Sequence, residues 1–153
     1  MTVMNLDGLE VWVRSKDFAL AMYKEVVPRL PADEKWNLAQ QLKRAALSVP
    51  ANIAEGRGRY HFLDNVCFCY FARGSLTEVQ GHLSHAHELG YLPGEIYNRM
   101  TVYAESIGKQ LNHYIACLKR SKQGEKDYPT GYSVREGSEL YVYEDPGEDS
   151  DQT

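Results

Sequence analysis

From Ile96 to Leu118 an apolar or aromatic residue returns every three or four positions: Ile96, Met100, Tyr103, Ile107, Leu111, Tyr114 and Leu118. This is the period of one helical face rather than the alternation of a strand. Pro93 and Gly124 bound the stripe, so it predicts a helix of roughly 28 residues, about 40 Å long. A helix of that length with a single wet face needs other striped helices to cover the dry one.

The chain supplies them. Ala72, Leu76, Val79, Leu83 and Ala86 keep four-three spacing inside a predicted helix from about 62 to 89, with Gly90 as its C-terminal cap. Leu38, Leu42, Ala45, Val49 and Ile53 stripe another, expected to run from Pro31 in its first turn, with Asp33 and Glu34 at the positive end of its dipole, to about Gly58. Trp12, Ala19, Met22 and Val26 lie on one face of a first helix, from about Leu9 to a stop at Pro28. The links near 28–32, 57–61 and 90–94 are only a few residues long, which makes consecutive helices antiparallel neighbours. The predicted fold is all-α: an up-down-up-down four-helix bundle over residues 1–124, followed by a tail over 125–153.

Charge divides along the same boundary. Residues 1–127 carry 16 Lys and Arg against 14 Asp and Glu, whereas 128–153 carry 1 against 7, and the two halves give the overall −4. The tail is rich in Gly, Pro, Ser and acid, the composition of a mobile appendage, although residues 132–143 also have β-formers on both sides of a Glu136–Ser138 turn, as a short hairpin would. No run approaches the roughly 18 apolar residues of a membrane span. The start lacks a basic-then-apolar leader and the three cysteines are an odd number, so the expectation is a cytoplasmic protein without disulfides.

One segment breaks the helical pattern. In LSVPANIAEG, residues 47–56, Pro50 removes a backbone donor and crowds the carbonyl of Ala46, so the second helix is expected to bend around the core there. Ser48 can bond back along the helix, Asn52 can offer its amide to carbonyls or to a neighbouring helix, and Glu55 stands four residues before Arg59 in the favourable order for an ion pair. Pro50, Asn52, Glu55 and Gly56 therefore read as an architectural motif.

Candidate chemistry is sparse. Lys43, Arg44, Arg57 and Arg59 lie on the second helix or at its end, and Lys119, Arg120 and Lys122 end the fourth. In an up-down bundle those two ends share a pole, so Arg57, Arg59, Lys119, Arg120 and Lys122 can form one phosphate-attracting surface; the bland alternative is a solvated charged face. His82 and His85 are one turn apart, but no Cys or carboxylate completes a metal motif around them and His87. Cys67 and Cys69 point different ways on a helix. Cys117 and His113 are one turn apart, yet a cysteine in such a helix is usually inert packing. "GRGR" at 56–59 joins two helices and follows no strand, so it is not a nucleotide-binding loop. No cofactor, metal site or acid–base pair is expected, and hence no enzyme.

The stretch LPADEKWNLAQQLKRAALSVPANIAEGRGR resembles the hallmark segment of the bacterial 23S rRNA intervening-sequence proteins, in which a pattern like SQLRRAAVSIPANIAEG is characteristic. The resemblance extends from LEVWVRSKDFALAMYKEV through GSLTEVQGHLSHAHELGYL to SIGKQLNHYIACLKR, about residues 9 to 120, while RYHFLDNVCFCYF departs from the more usual Ser-Lys-Glu-type start of the third helix. It implies a small non-enzymatic subunit that assembles into a ring-like homo-oligomer, commonly a homopentamer. It also implies kinship to the accessory proteins of diversity-generating retroelements, which bind RNA or DNA and a reverse transcriptase. Two functions follow as expectations: a nucleic-acid-binding accessory protein, with a reverse transcriptase or ribosome-related partner, or a protein interaction scaffold. Self-assembly is expected also because Trp12, Phe18, Tyr23, Tyr97 and Tyr103 are more large residues than one narrow seam requires.

Overall fold

The long stripe does form one helix. In a computed structural model that describes residues 5–124, 133–136 and 139–142, four helices, α1 (Glu10–Ala21), α2 (Leu38–Arg57), α3 (Phe62–Glu88) and α4 (Gly94–Ser121), make up the bundle. Each packs on its neighbours in sequence, and α1 closes against α4. The core runs the length of the bundle through Phe18, Met22, Leu42, Ile53, Phe62, Leu63, Leu83, Met100, Ile107 and Leu111, each essentially without exposure. Burying a side chain of this size stabilises by roughly 1.5–3 kcal/mol before chain entropy is counted.

The stripes of α2 and α3 are buried as expected, and so are Ala19, Met22 and Val26 of the first stripe and Ile96, Met100, Ile107 and Leu111 of the last, while the remaining positions of those two are re-aimed. On α4 the buried line is Ile96, Met100, Ala104, Ile107, Leu111 and Ile115, with Tyr103, Tyr114 and Leu118 packed along its flank. Small Ala104 sits at the centre because it lets neighbouring helices approach, while the tyrosines keep their hydroxyls toward polar partners. On α1, Trp12 is only partly buried and lies under the Lys16 ammonium, 4.6 Å from the ring centre; Val11, Ser15 and Phe18 point inward instead.

Both ends of the first link depart from the plain pattern. Pro28 has no N–H to give, and the turn before it widens into a π-segment over Met22–Val26, closed by Val27 N–H on the Met22 carbonyl, then a 3₁₀ turn over Val27–Arg29. Met22 and Val26 both remain fully buried. The expected second helix starts later than Pro31. A separate 3₁₀ turn spans Ala32–Trp36, Asn37 breaks the path at φ −123°, ψ −105°, and α2 begins at Leu38. The Glu34 carboxylate accepts from the Leu38 N–H at 3.1 Å and from Asn37 Nδ2 at 3.0 Å, so a side chain from the preceding turn caps the helix and complements its dipole.

The C-terminus of α3 follows the expected rule. Gly90 has φ +77°, Tyr91 N–H reaches the Ala86 carbonyl and Gly90 N–H that of His87, the double bond of a Schellman cap. Beyond the bundle, β1 (Ser133–Glu136) pairs antiparallel with β2 (Glu139–Val142), Ser133 opposite Val142 and Glu136 opposite Glu139. The rest of the acidic tail, whose mobility the composition suggested, lies outside the described residues. Among those described, no helix is long and apolar enough to cross a membrane.

Candidate nucleic-acid interface

Pro50 is buried within an unbroken α2, and the residues on either side of it explain the seam with α3. Ser48, Asn52 and Gly56 are spaced by four and face that helix. Ser48 Oγ lies 2.8 Å from Ser75 Oγ of α3 rather than bonding back along its own helix, and Asn52 Nδ2 donates to both the Ser48 carbonyl and its hydroxyl. At Gly56 the helices nearly touch: a Cβ there would stand 2.8 Å from both Asn65 Oδ1 and Phe68 Cβ. Glu55 and Arg59 form the expected pair at 2.7 Å. This motif sets how closely α2 docks on α3.

That docking fixes a pole. Asn65, buried under Gly56, donates Nδ2–H to Tyr114 Oη at 3.2 Å and so ties α3 to α4. The Phe62 N–H donates to the Gln123 carbonyl at 3.0 Å, so the chain leaving α4 is pinned to the first turn of α3. Gly124, at φ +76°, approaches His61 so closely that a Cβ would lie 2.3 Å from Nδ1. A cleft of about 50 Å³ results, lined by Arg57, Arg59, Tyr60, Phe62, Asn65, Leu118, Ser121 and Gln123.

The C-terminal ends of α2 and α4 both reach this cleft, one with Arg57 and the other with Leu118 and Ser121. Arg57 is exposed at the last turn of α2. The Arg59 guanidinium lies 5.0 Å from the Phe68 ring centre and Lys119 Nζ 5.7 Å from that of Tyr70. Arg120 Nη2 is 3.1 Å from Cys117 Sγ, and Lys122 adopts the left-handed conformation just after α4, φ 48°. Part of this charge offsets the negative ends of two helix dipoles. Among the acids of the described residues, Glu55 pairs with Arg59 at 2.7 Å and Asp64 stands in the first turn of α3.

Lys43 and Arg44 stand apart from this group. They lie about 20 Å up the helix from Arg57; Lys43 Nζ sits 5.3 Å from the Tyr23 ring centre, and Arg44 pairs with Glu78 at 2.9 Å. Sequence reasoning also missed Arg73, which bonds Asn112 at 3.1 Å and covers Tyr70 at 5.0 Å, together with Tyr60 and Asn65. An asparagine in the buried register of an apolar helix start was the available signal for Asn65.

The other candidates are occupied by packing. His87 donates Nδ1–H to the Leu92 carbonyl at 2.9 Å and stacks on Tyr97, while His82 faces Glu78 at 3.4 Å. Among the described residues no group of three or more His, Cys, Asp or Glu is placed to hold a metal. Burial pushes the Cys69 thiol up to about 12, and burial with the nearby Asp64 raises Cys67, so both stay protonated at neutral pH. Cys117 Sγ is 3.6 Å from His113 Nε2. The groove of about 340 Å³ beside them is lined by His113 with Leu9, Glu10, Val11, Lys109 and Gln110, without the sulfur.

The model of the family described as 23S rRNA-intervening sequence protein matches residues 7–113. Arg57 and Arg59 fall inside that match; Lys119, Arg120 and Lys122 lie beyond it. A crystal structure of a protein with unknown function from the S23 ribosomal protein family of Bacteroides thetaiotaomicron superposes with a TM-score of 0.63 at 23% identity, over 69% of this chain and 97% of that one. At that identity the likeness establishes the fold. No curated protein matches the chain.

Proposed function

This chain belongs to the 23S rRNA-intervening sequence protein family, and from that premise we propose that it is a non-enzymatic accessory bundle whose basic pole binds nucleic-acid phosphates. The observation that carries the reading is the convergence of Arg57 and Arg59 with the end of α4 around one cleft, with Lys119, Arg120 and Lys122 on the last turn of α4 or just beyond it. Side chains of this kind set affinity without reading sequence, and no base-reading module accompanies them. The test is a salt titration of RNA binding by fluorescence anisotropy. Counterion release predicts a linear fall of log K with log salt, with a slope of roughly three to four for five single-strand phosphate contacts. Absence of binding at low ionic strength overturns the reading.

Self-association is part of the proposal, and of the residues first expected for it Tyr23, 36% exposed, and half-buried Trp12 remain at the surface while the others are engaged. Phe18 is core and Tyr103 meets it edge-on at 5.2 Å, and Tyr97 is stacked on His87. What favours a second copy is Leu20 at 43% and Val102 at 63% exposure, on α1 and α4. Light scattering decides it: a monomer at tens of micromolar removes this element and leaves the basic pole standing.

A further inference from the structure

The pole carries more than charge. Tyr60 is 63% exposed and Phe71 58% exposed, both on the side of the bundle where Arg57 and Arg59 end α2. Phe68 lies between them in the chain and is already engaged: Arg59 covers its ring at 5.0 Å and Phe71 meets it edge-on at 5.7 Å, 87° between planes. Phe71 therefore continues an arginine–aromatic row outward while exposing most of its own surface. Tyr60, next in the chain to Arg59, meets His61 edge-on at 5.1 Å and stands at the rim of the cleft.

Resting on the phosphate-binding reading above, we infer that this pole takes single-stranded nucleic acid in preference to a duplex, its bases stacking on Tyr60 and Phe71 while Arg57 and Arg59 hold the intervening phosphates. Exposed planar rings set among cations are what an unpaired strand can use, because every unstacked base has a free π-face. A duplex hides those faces and offers only edges and phosphates. The cleft itself, about 50 Å³, is far below the roughly 300 Å³ of a small ligand pocket, so bases lie on the rings and not in the hole.

The experiment compares a labelled single strand of about 20 nucleotides with a duplex of equal length on the full chain, in about 50 mM salt where phosphate contacts are strong. The expected result is at least roughly tenfold preference for the single strand. Tyr60→Ala and Phe71→Ala each weaken single-strand binding by roughly 5- to 100-fold and leave duplex binding unchanged. Phe71→Trp, which keeps a stacking plane, retains affinity; Phe71→Leu, which keeps only apolar bulk, does not. Circular dichroism confirms that each variant is folded. Equal affinity for both forms, or indifference to the ring substitutions while Arg57→Glu still weakens binding, overturns stacking and leaves the phosphate surface intact. No binding to either form overturns both readings and assigns the exposed rings to a protein partner.

Discussion

The bundle has two seams built on opposite plans. Between α2 and α3 the contact is close and made of small groups: the bare Gly56 backbone against Asn65 and Phe68, Ser48 on Ser75, and Asn52 folded onto its own helix. Between α4 and α1 with the π-segment that continues it, the contact is bridged by long side chains at the rim, Arg99 to Glu25 of the π-segment, Gln110 to Glu10, and Arg14 to Ser106, with Leu20 and Val102 left exposed. A close seam cannot absorb an added atom, whereas a bridged seam can re-aim a flexible chain. The pole that gathers the cations is therefore held by the rigid seam, and the apolar surface that remains for a second copy lies along the adaptable one.

Substitutions should separate the two plans by size of effect. Gly56→Val places atoms where 2.8 Å contacts already stand, and should cost about 3 kcal/mol in urea unfolding through overpacking. By contrast Gly74→Ala, on the exposed face of α3 with nothing within 4 Å of a new Cβ, should stabilise by about 0.5–1 kcal/mol through helix propensity. If Gly56→Val were neutral, the close-seam description would fail.

Cys69, buried in α3, gives a pH test of the core behind that seam. Burial holds its thiol at about 12, above the ordinary value of 9.0, so its contribution is fully present below pH 9 and is lost as pH rises toward 12, because the unfolded thiol ionises first. At pH 10 the loss should be on the order of 1–2 kcal/mol. Cys69→Ala should show a correspondingly shallower fall in stability between pH 8 and pH 10 (about those values, chosen to straddle the free thiol). Identical pH profiles for the two proteins would show that Cys69 does not sense burial.

Asn52→Ala removes two donated bonds, to the Ser48 carbonyl and hydroxyl, and should cost about 1 kcal/mol. On the other seam, Glu25→Ala breaks the exposed pair with Arg99 and should cost less than about 0.5 kcal/mol, a loss that salt reduces further. A Glu25 effect as large as that of Asn52 would erase the distinction between the seams.

Much of this was legible in the sequence because helix period and chain punctuation are local. The α2 and α3 stripes, the cap at Gly90 and the loop near 57–61 followed from spacing and glycine or proline placement alone. Where long-range packing decides, the reading slipped. Glu34 caps α2 from outside it and delays its start to Leu38, and Ala104 rather than Tyr103 takes the core position because neighbouring helices need the space. The site divided in the same way. Two helix ends at one pole follow from topology, so Arg57, Arg59 and the end of α4 were found together. Lys43 and Arg44 share the second helix with Arg57 but are separated from it by axial distance, and Arg73 and Asn65 depend on partners that only the fold supplies.

Axial distance also gives the most direct test of the basic pole. Arg57→Glu and Arg44→Glu make the same change in net charge on the same helix, about 20 Å apart, one at the pole and one beside Glu78. Binding of single-stranded RNA to the two variants should be measured across a salt series. The account predicts that Arg57→Glu lowers affinity about tenfold or more at low salt and reduces the slope of log K against log salt by about one, while Arg44→Glu stays within about twofold of the parent protein. Equal losses at both positions would mean that RNA senses only net charge, and would contradict a binding surface at the pole.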